Sequence, residues 1–391
     1  MPKASNAKRS DGRFAVQVYL GTDERGKRKY KTVYGKTQKE ADEKAREVKT
    51  RLGKGLDISA AEDSFSDWCD RWLSSKKRDI GNSQYLSYLG YTKHLKNALG
   101  DIPIKDIKLF NVQSVIDELY DFNPNTGGAT SKKTLTDIKN TAVQIFDFAI
   151  DNRVIDYNPA SSVKIPKNAE KQSRRALTEL EQSYITNTPH RMQTAAMIML
   201  YAGLRRGELI PLMWSDIDLK NKTISVNKAV DLSSGTPTIK STKTKAGKRI
   251  VKIPTILSKH LSECKKDNIL VCPSLSGNMY TATSWRTSWN SYLYDLDVLY
   301  GKIPQKKSKY DKRFKGITIS RITPHMLRHT FCTNMYLAGV DILTAQHQMG
   351  HSDIKTTLSI YTHISENFAK DEMKKLDSFF ENASQMQVSE N

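Results

Sequence analysis

Thr323-Pro324-His325-Met326-Leu327-Arg328-His329-Thr330 opens as a helix, with Thr323 as the capping residue and Pro324 in the first turn, where a missing N–H does no harm. Residues three apart share a helix face, so His325 and Arg328 point the same way. Five of the eight histidines fall between His325 and His363. Downstream come Gly350-His351-Ser352 and then Leu358-Ser359-Ile360-Tyr361-Thr362-His363. Upstream, Gly203-Leu204-Arg205-Arg206-Gly207-Glu208 follows an apolar helix expected over Ala195 to Tyr201, and Arg205 and Glu208 are again three apart. Between these stretches residues 226–253 read as strands, with Lys240-Ser241-Thr242-Lys243-Thr244-Lys245-Ala246-Gly247-Lys248-Arg249 in their connecting turn. Each signal has an ordinary reading of its own: an exposed helix face, a turn, a packed tyrosine, a solvated lysine-rich tip. In this order they compose a phosphate site. Two arginines can hold the non-bridging oxygens of one phosphodiester, two histidines add donors, and a tyrosine hydroxyl offers a nucleophile.

The rest of the chain fits a phosphate ligand. It has 391 residues, with 62 Lys+Arg against 42 Asp+Glu and a formal net charge of +20. That length suggests two or three domains. A hydrophobic content of 38% with 27% charged residues excludes wholesale disorder. No run approaches the roughly 18 consecutive apolar residues of a membrane span. Met1 to Ser10 is polar and basic without an apolar core, so no secretory signal is expected. Cys69, Cys264, Cys272 and Cys332 are scattered without CxxC pairing, which argues against a disulfide framework or a zinc site. The chain reads as cytosolic. A cationic surplus of this size favours a polyanion, because each Lys or Arg that meets a phosphate releases a counterion; a merely basic protein is the plainer alternative.

Residues 1–56 predict a small sheet and one helix. Phe14, Val16, Val18 and Leu20 alternate on one face of a strand, a turn spans Gly21–Lys27, and a second strand runs from Lys29 to Tyr34. Thr37 with Glu40 signals a capping box, followed by Ala41, Ala45, Val48 and Leu52 at helical spacing. Arg13, Arg25, Lys27, Arg28, Lys29 and Lys31 sit on the strands and their turn, and a thin basic sheet can lie in a DNA groove; a solvated charged hairpin is the alternative. Residues 63–160 predict a helical domain. Its helices start near Ser64 and Asp67 and cover about 83–99, 111–120 and 131–150, the last with an apolar stripe of Leu135, Ile138, Ala142, Ile145, Phe146 and Ala149. Lys132, Lys133 and Lys139 are either phosphate contacts or a solvated face. Residues 161–175 read as a basic linker, with Pro166 stopping any helix, that would let two domains close around a duplex. Residues 176–383 are mixed helix and strand, and 384–391 are expected to be disordered.

The C-terminal half resembles the tyrosine recombinase family, the integrases of phages and integrative conjugative elements. Gly-Leu-Arg205-Arg-Gly-Glu-Leu, Pro-His325-Met-Leu-Arg328-His-Thr-Phe, Met-Gly-His351-Ser and Ile-Tyr361-Thr-His carry the resemblance, with a lysine in the turn between. The domain order is similar to that of the long integrases. The resemblance implies a multidomain fold: a small α+β arm-binding domain, an all-α core-binding domain, and a mainly α catalytic domain with a small antiparallel sheet. It implies that Arg205 and Arg328 clamp the scissile phosphate, that His325 and His351 donate to it, and that Tyr361 attacks to give a 3′-phosphotyrosine. Lys243 would protonate the leaving 5′ oxygen, with Lys245 and Lys248 as competitors, and Glu208 would orient the Arg–His network. His329 and His363 read as support or surface.

A site-specific recombinase that integrates and excises a mobile element follows from this resemblance. It would need no metal, no other cofactor and no ATP, since the arginines supply charge stabilisation. Its partners would be double-stranded DNA at core and arm sites, further copies in a tetramer, and a directionality factor; no membrane is involved. Phe368, Met373, Leu376, Phe379 and Phe380 form an apolar stripe that would dock on a neighbouring protomer, or in cis. A type IB topoisomerase and a non-catalytic DNA-binding regulator are the alternative classes.

Overall fold

Val18 and Val33 face each other's strands in the N-terminal sheet, where β1 (Phe14–Thr22) pairs antiparallel with β2 (Arg28–Gly35). Both pack with Ala45 of α1 (Gln38–Gly53), which closes one face of the sheet. Thr37 caps α1 by accepting from the Glu40 N–H at 3.2 Å. The Glu40 carboxylate takes the Lys36 N–H at 2.7 Å, one residue earlier than a capping box would use. The computed structural model divides into two compact units, residues 1–172 and 173–391. It describes residues 10–22, 26–124, 127–170, 175–241, 247–264, 267–302 and 319–358.

The first unit continues into four helices: α2 (Phe65–Lys76), α3 (Asn82–Leu99), α4 (Leu109–Asp121) and α5 (Lys132–Asp151). Ser64 and Asp67 cap α2 reciprocally. The stripe on α5 supplies the centre of the bundle, every one of its six apolar residues being fully buried, and the Phe146 ring stacks on Phe65 with centroids 5.2 Å apart. Residues 161–170, read from composition as the start of a linker, carry Val163 and Ala169 into this core. Gln113 fixes them there, donating to the Lys164 carbonyl at 3.0 Å and accepting its N–H at 2.9 Å. The sheet and α1 are tied to the bundle by polar contacts. Arg51 donates to the Val154 carbonyl, the Asp57 N–H to the Arg153 carbonyl, and Lys54 pairs with Asp156.

The second unit is built around α7 (Gln193–Tyr201), apolar on every side and buried from Ala195 to Leu200. Helices α6 (Glu179–Asn187), α9 (Thr255–Glu263), α10 (Ala282–Tyr300) and α11 (Pro324–Leu337) contribute to the same core. The strand-rich stretch resolves into two pieces. A three-stranded antiparallel sheet joins β3 (Ile217–Asp218), β4 (Thr223–Val226) and β7 (Arg249–Lys252), and a separate hairpin joins β5 (Lys228–Asp231) to β6 (Thr238–Ser241). Along β7 the period of two turns Arg249 and Val251 inward, and Ile250 and Lys252 outward. The short α8 (Arg206–Leu209) and α12 (Ile342–Met349) complete the unit. The architecture is mostly helical with small antiparallel sheets. Among the described residues no helix is long and apolar enough to cross a membrane.

Candidate active site

Helix α12 ends at Gly350, whose left-handed φ of 62° leaves the last carbonyls of the helix without intrahelical partners. Three arginines from three different elements take them up. Arg249 Nε donates to the Gln348 carbonyl at 2.9 Å, Arg328 Nη2 to the Met349 carbonyl, and Arg205 Nη2 to the Gly350 carbonyl at 3.0 Å. The negative end of a helix dipole favours cations there. Gly350 is required by packing as well, since a Cβ would lie 2.7 Å from Arg249 Nη1.

Glu208 binds two of these arginines. It accepts from Arg205 Nη1 at 2.8 Å and from the Arg205 backbone N–H at 2.9 Å. On its other side Arg249 Nη1 and Nη2 donate at 3.1 and 3.0 Å, a bidentate pair with both side chains almost wholly buried. Burial alone would raise the Glu208 pKa, but Arg249 and then Arg205 outweigh it and hold the carboxyl at about 2. Arg328 is buried in α11 and donates through Nη1 to the Gly203 carbonyl. Burial, then repulsion from Arg205, lowers its pKa to about 9, so it stays a cation at neutral pH.

Gly203 sits at φ 64°, and a Cβ there would come within 2.4 Å of Phe331 Cδ1 and 3.1 Å of Met349 Sδ. Gly203→Ala is therefore expected to cost about 3 kcal/mol, from left-handed strain and overpacking together. It also shifts the carbonyl that holds Arg328. Urea unfolding checks it, and a cost below about 1 kcal/mol would mean that the turn relaxes around the methyl.

His325 lies exposed in the first turn of α11, one turn before Arg328. His351 follows the capping glycine, its Nδ1 2.8 Å from the hydroxyl of the buried Thr357. Burial, then the charges of Arg328, Arg205 and Arg249, pushes the imidazole down to about 4, so it is neutral at pH 7. Arg205, His325, Arg328, His329, His351 and Ser352 line one open cleft of about 270 Å³. Cations and neutral donors around a small opening make a receptor for a phosphodiester. Lys243, Lys245, Tyr361 and His363 lie outside the described residues, whereas Lys248 is described and exposed.

The basic residues proposed for DNA contact are placed unevenly. Lys31 is opposite Val18 on the α1 side of the sheet and pairs with Glu62, which also binds Lys105. A free contact for Lys31 is thus replaced by an internal ion pair. Lys29 falls on the same side as Lys31, since successive side chains alternate. Arg28 and Lys27 are exposed, and Arg25 lies outside the described residues. On α5, Lys132 is half-buried and Lys133 extends into solvent beside Asp137. The open face of the sheet is instead aromatic. Tyr19 and Tyr30 have ring centroids 5.5 Å apart, and the Arg13 guanidinium lies 5.2 Å over Tyr34. That face was legible as the polar half of the β1 alternation. Arg249 was missed too, having been read as part of the lysine-rich turn; its sharing a face with Val251 was the available signal.

Residues 169–367 match the phage integrase family, residues 5–52 an arm DNA-binding domain, and residues 64–120 a phage integrase N-terminal SAM-like domain. A tyrosine recombinase XerC-like protein of Caldanaerobacter subterraneus subsp. tengcongensis is 26% identical over 406 residues, covering 97% of this chain and 99% of the relative. The ICEBs1 integrase of Bacillus subtilis is 25% identical over 383 residues, covering 95% and 98%. Among solved structures, the Tn1549 transposon integrase in complex with transposon right end DNA aligns with a TM-score of 0.64 at 22% identity. It covers 80% of this chain and 99% of that one, a likeness of fold.

Proposed function

The chain belongs to the phage integrase family and is a site-specific tyrosine recombinase that cleaves and rejoins DNA, and we propose that Tyr361 is its nucleophile, with Arg205, Arg328, His325 and His351 binding the scissile phosphate. One observation carries the reading: these two arginines and two histidines, from three separated stretches of sequence, line a single cleft. The Tyr361 hydroxyl attacks phosphorus in line, the bond to the 5′ oxygen breaks, and the 3′ phosphate becomes esterified to the tyrosine. The guanidinium groups offset the charge that develops on the phosphoryl oxygens. The departing 5′ oxygen needs a proton, because an alkoxide is a poor leaving group. Lys243 is our assignment for that donor, ahead of Lys245 and Lys248 in the same turn. Glu208 orients the arginines. The phosphotyrosyl ester keeps the energy of the phosphodiester, so the 5′-hydroxyl of a second strand reverses the step without ATP.

Exchanging both strands of two duplexes takes four cleavages, and hence four protomers with one tyrosine each. We assign residues 1–56 to arm sites, 63–160 to core sites, 161–175 to the connection and 176–383 to catalysis. The 368–380 stripe would dock on a neighbouring protomer, with 384–391 beyond it. The enzyme would work in the bacterial cytoplasm, integrating and excising a mobile element with a directionality factor setting the balance.

The test is a suicide duplex built from the ends of the element, nicked so that the short fragment bearing the free 5′-hydroxyl diffuses away after cleavage. A covalent complex is expected whose nucleotide-bearing peptide contains Tyr361, linked to a 3′ phosphate. Attachment through another residue, or through a 5′ phosphate, would overturn the mechanism.

A further inference from the structure

A neutral imidazole has one N–H, so which nitrogen carries it decides whether His351 shows the cleft a donor or a lone pair. Residues 354–358 are helical, and this turn brings the fully buried Thr357 back against the ring, with its hydroxyl oxygen 2.8 Å from Nδ1. The contact occupies Nδ1 on the protein side and leaves Nε2 for the cleft that His351 lines. The nearby arginines do not set the ring's proton, because Arg205, Arg249 and Arg328 donate to Glu208 and to four backbone carbonyls. A hydroxyl can donate or accept. If it accepted, Nδ1 would hold the only proton and Nε2 would turn a lone pair toward an anionic phosphate.

We propose that Thr357 is a positioning residue: its hydroxyl donates to His351 Nδ1 and so fixes the proton on Nε2, where it meets the scissile phosphate. The inference rests on the reading of His351 as a phosphate donor. No bond to DNA is made by Thr357 itself. Its depressed pKa keeps His351 from holding both protons at neutral pH, which is why the tautomer matters.

Thr357→Val keeps the shape and removes the hydroxyl, whereas Thr357→Ser keeps the hydroxyl and removes a methyl. Thr357→Val is expected to slow single-turnover cleavage of the suicide duplex about tenfold, with DNA affinity unchanged within about twofold. Thr357→Ser should stay within about threefold of the parent rate. In the full chain carrying 15N-labelled histidine, the His351 signals, assigned by their loss in His351→Ala, should show Nε2 protonated and Nδ1 bare. In Thr357→Val they should move toward a mixture of tautomers. A protonated Nδ1 in the parent protein overturns the proposal, as does a Thr357→Ser rate as low as that of Thr357→Val. If His351→Ala is slow while Thr357→Val cleaves normally, the Thr357 role alone fails. If His351→Ala itself cleaves normally, the phosphate reading of His351 fails with it.

Discussion

Tyr361→Phe is expected to bind its DNA as the parent does and to form no covalent complex with any substrate, a loss of at least about 10⁴-fold in cleavage. The substitution removes one oxygen and keeps the ring, so whatever the ring packs against is retained. Affinity comes from elsewhere: a chain of net charge +20 releases counterions wherever its cations meet phosphates, and the slope of affinity against salt counts them. Tyr361→Phe removes no cationic side chain, so that count is unchanged. Arg205 and Arg328 are held by carbonyls and by Glu208, so the phosphate cleft stays assembled without the tyrosine. Mobility shift at several salt concentrations and a denaturing gel separate the two quantities. A protein–DNA complex that survives denaturation in Tyr361→Phe would move the nucleophile to another residue. A weaker complex with a changed salt slope would make the tyrosine part of the binding surface.

What could be read from the residues alone follows the range of the interaction involved. Periodicity is local, so the α5 stripe and the inward face of β1 were legible, as were the Ser64–Asp67 cap and the shared face of His325 and Arg328. Partner identity is not local. Arg249 reaches Glu208 across 41 residues and Arg328 reaches Gly203 across 125. No spacing rule connects such pairs. The same limit applies to charge. Lys31, Lys54, Arg71 and Lys96 each meet a carboxylate of the first unit, so part of the cationic surplus is matched internally before any DNA arrives. Most of these pairs are solvent-exposed and contribute little to stability. In the 161–175 stretch, polar composition concealed Val163 and Ala169, which enter the bundle core with Ile165 packed against it, while Gln113 supplies matching hydrogen bonds.

Arg249→Met should destabilise the protein by about 3 kcal/mol, the usual scale for removing one member of a buried ion pair. The variant leaves Glu208 buried with Arg205 as its remaining cation and the Gln348 carbonyl without its donor. Glu208→Leu alone is expected to cost a similar amount, since it leaves the Arg249 guanidinium buried against a single carbonyl. Joining the two substitutions replaces the pair by apolar groups and should return stability to within about 1 kcal/mol of the parent. Cleavage should not return, because Arg205 has then lost the carboxylate that orients it. Acid titration gives an independent sign. The folded-state pKa of Glu208, about 2, lies below its ordinary 4.5, so its contribution is complete above pH 4.5 and is lost as pH falls toward 2. Removing Arg249 raises that folded-state value, and the acid-side loss of stability should become shallower. Urea unfolding across this pH range, with suicide-substrate cleavage of the three variants, measures both effects. Equal stability of Arg249→Met and the parent would show the pair to be dispensable, and recovered cleavage in the double variant would show that Arg205 needs no carboxylate to find the phosphate.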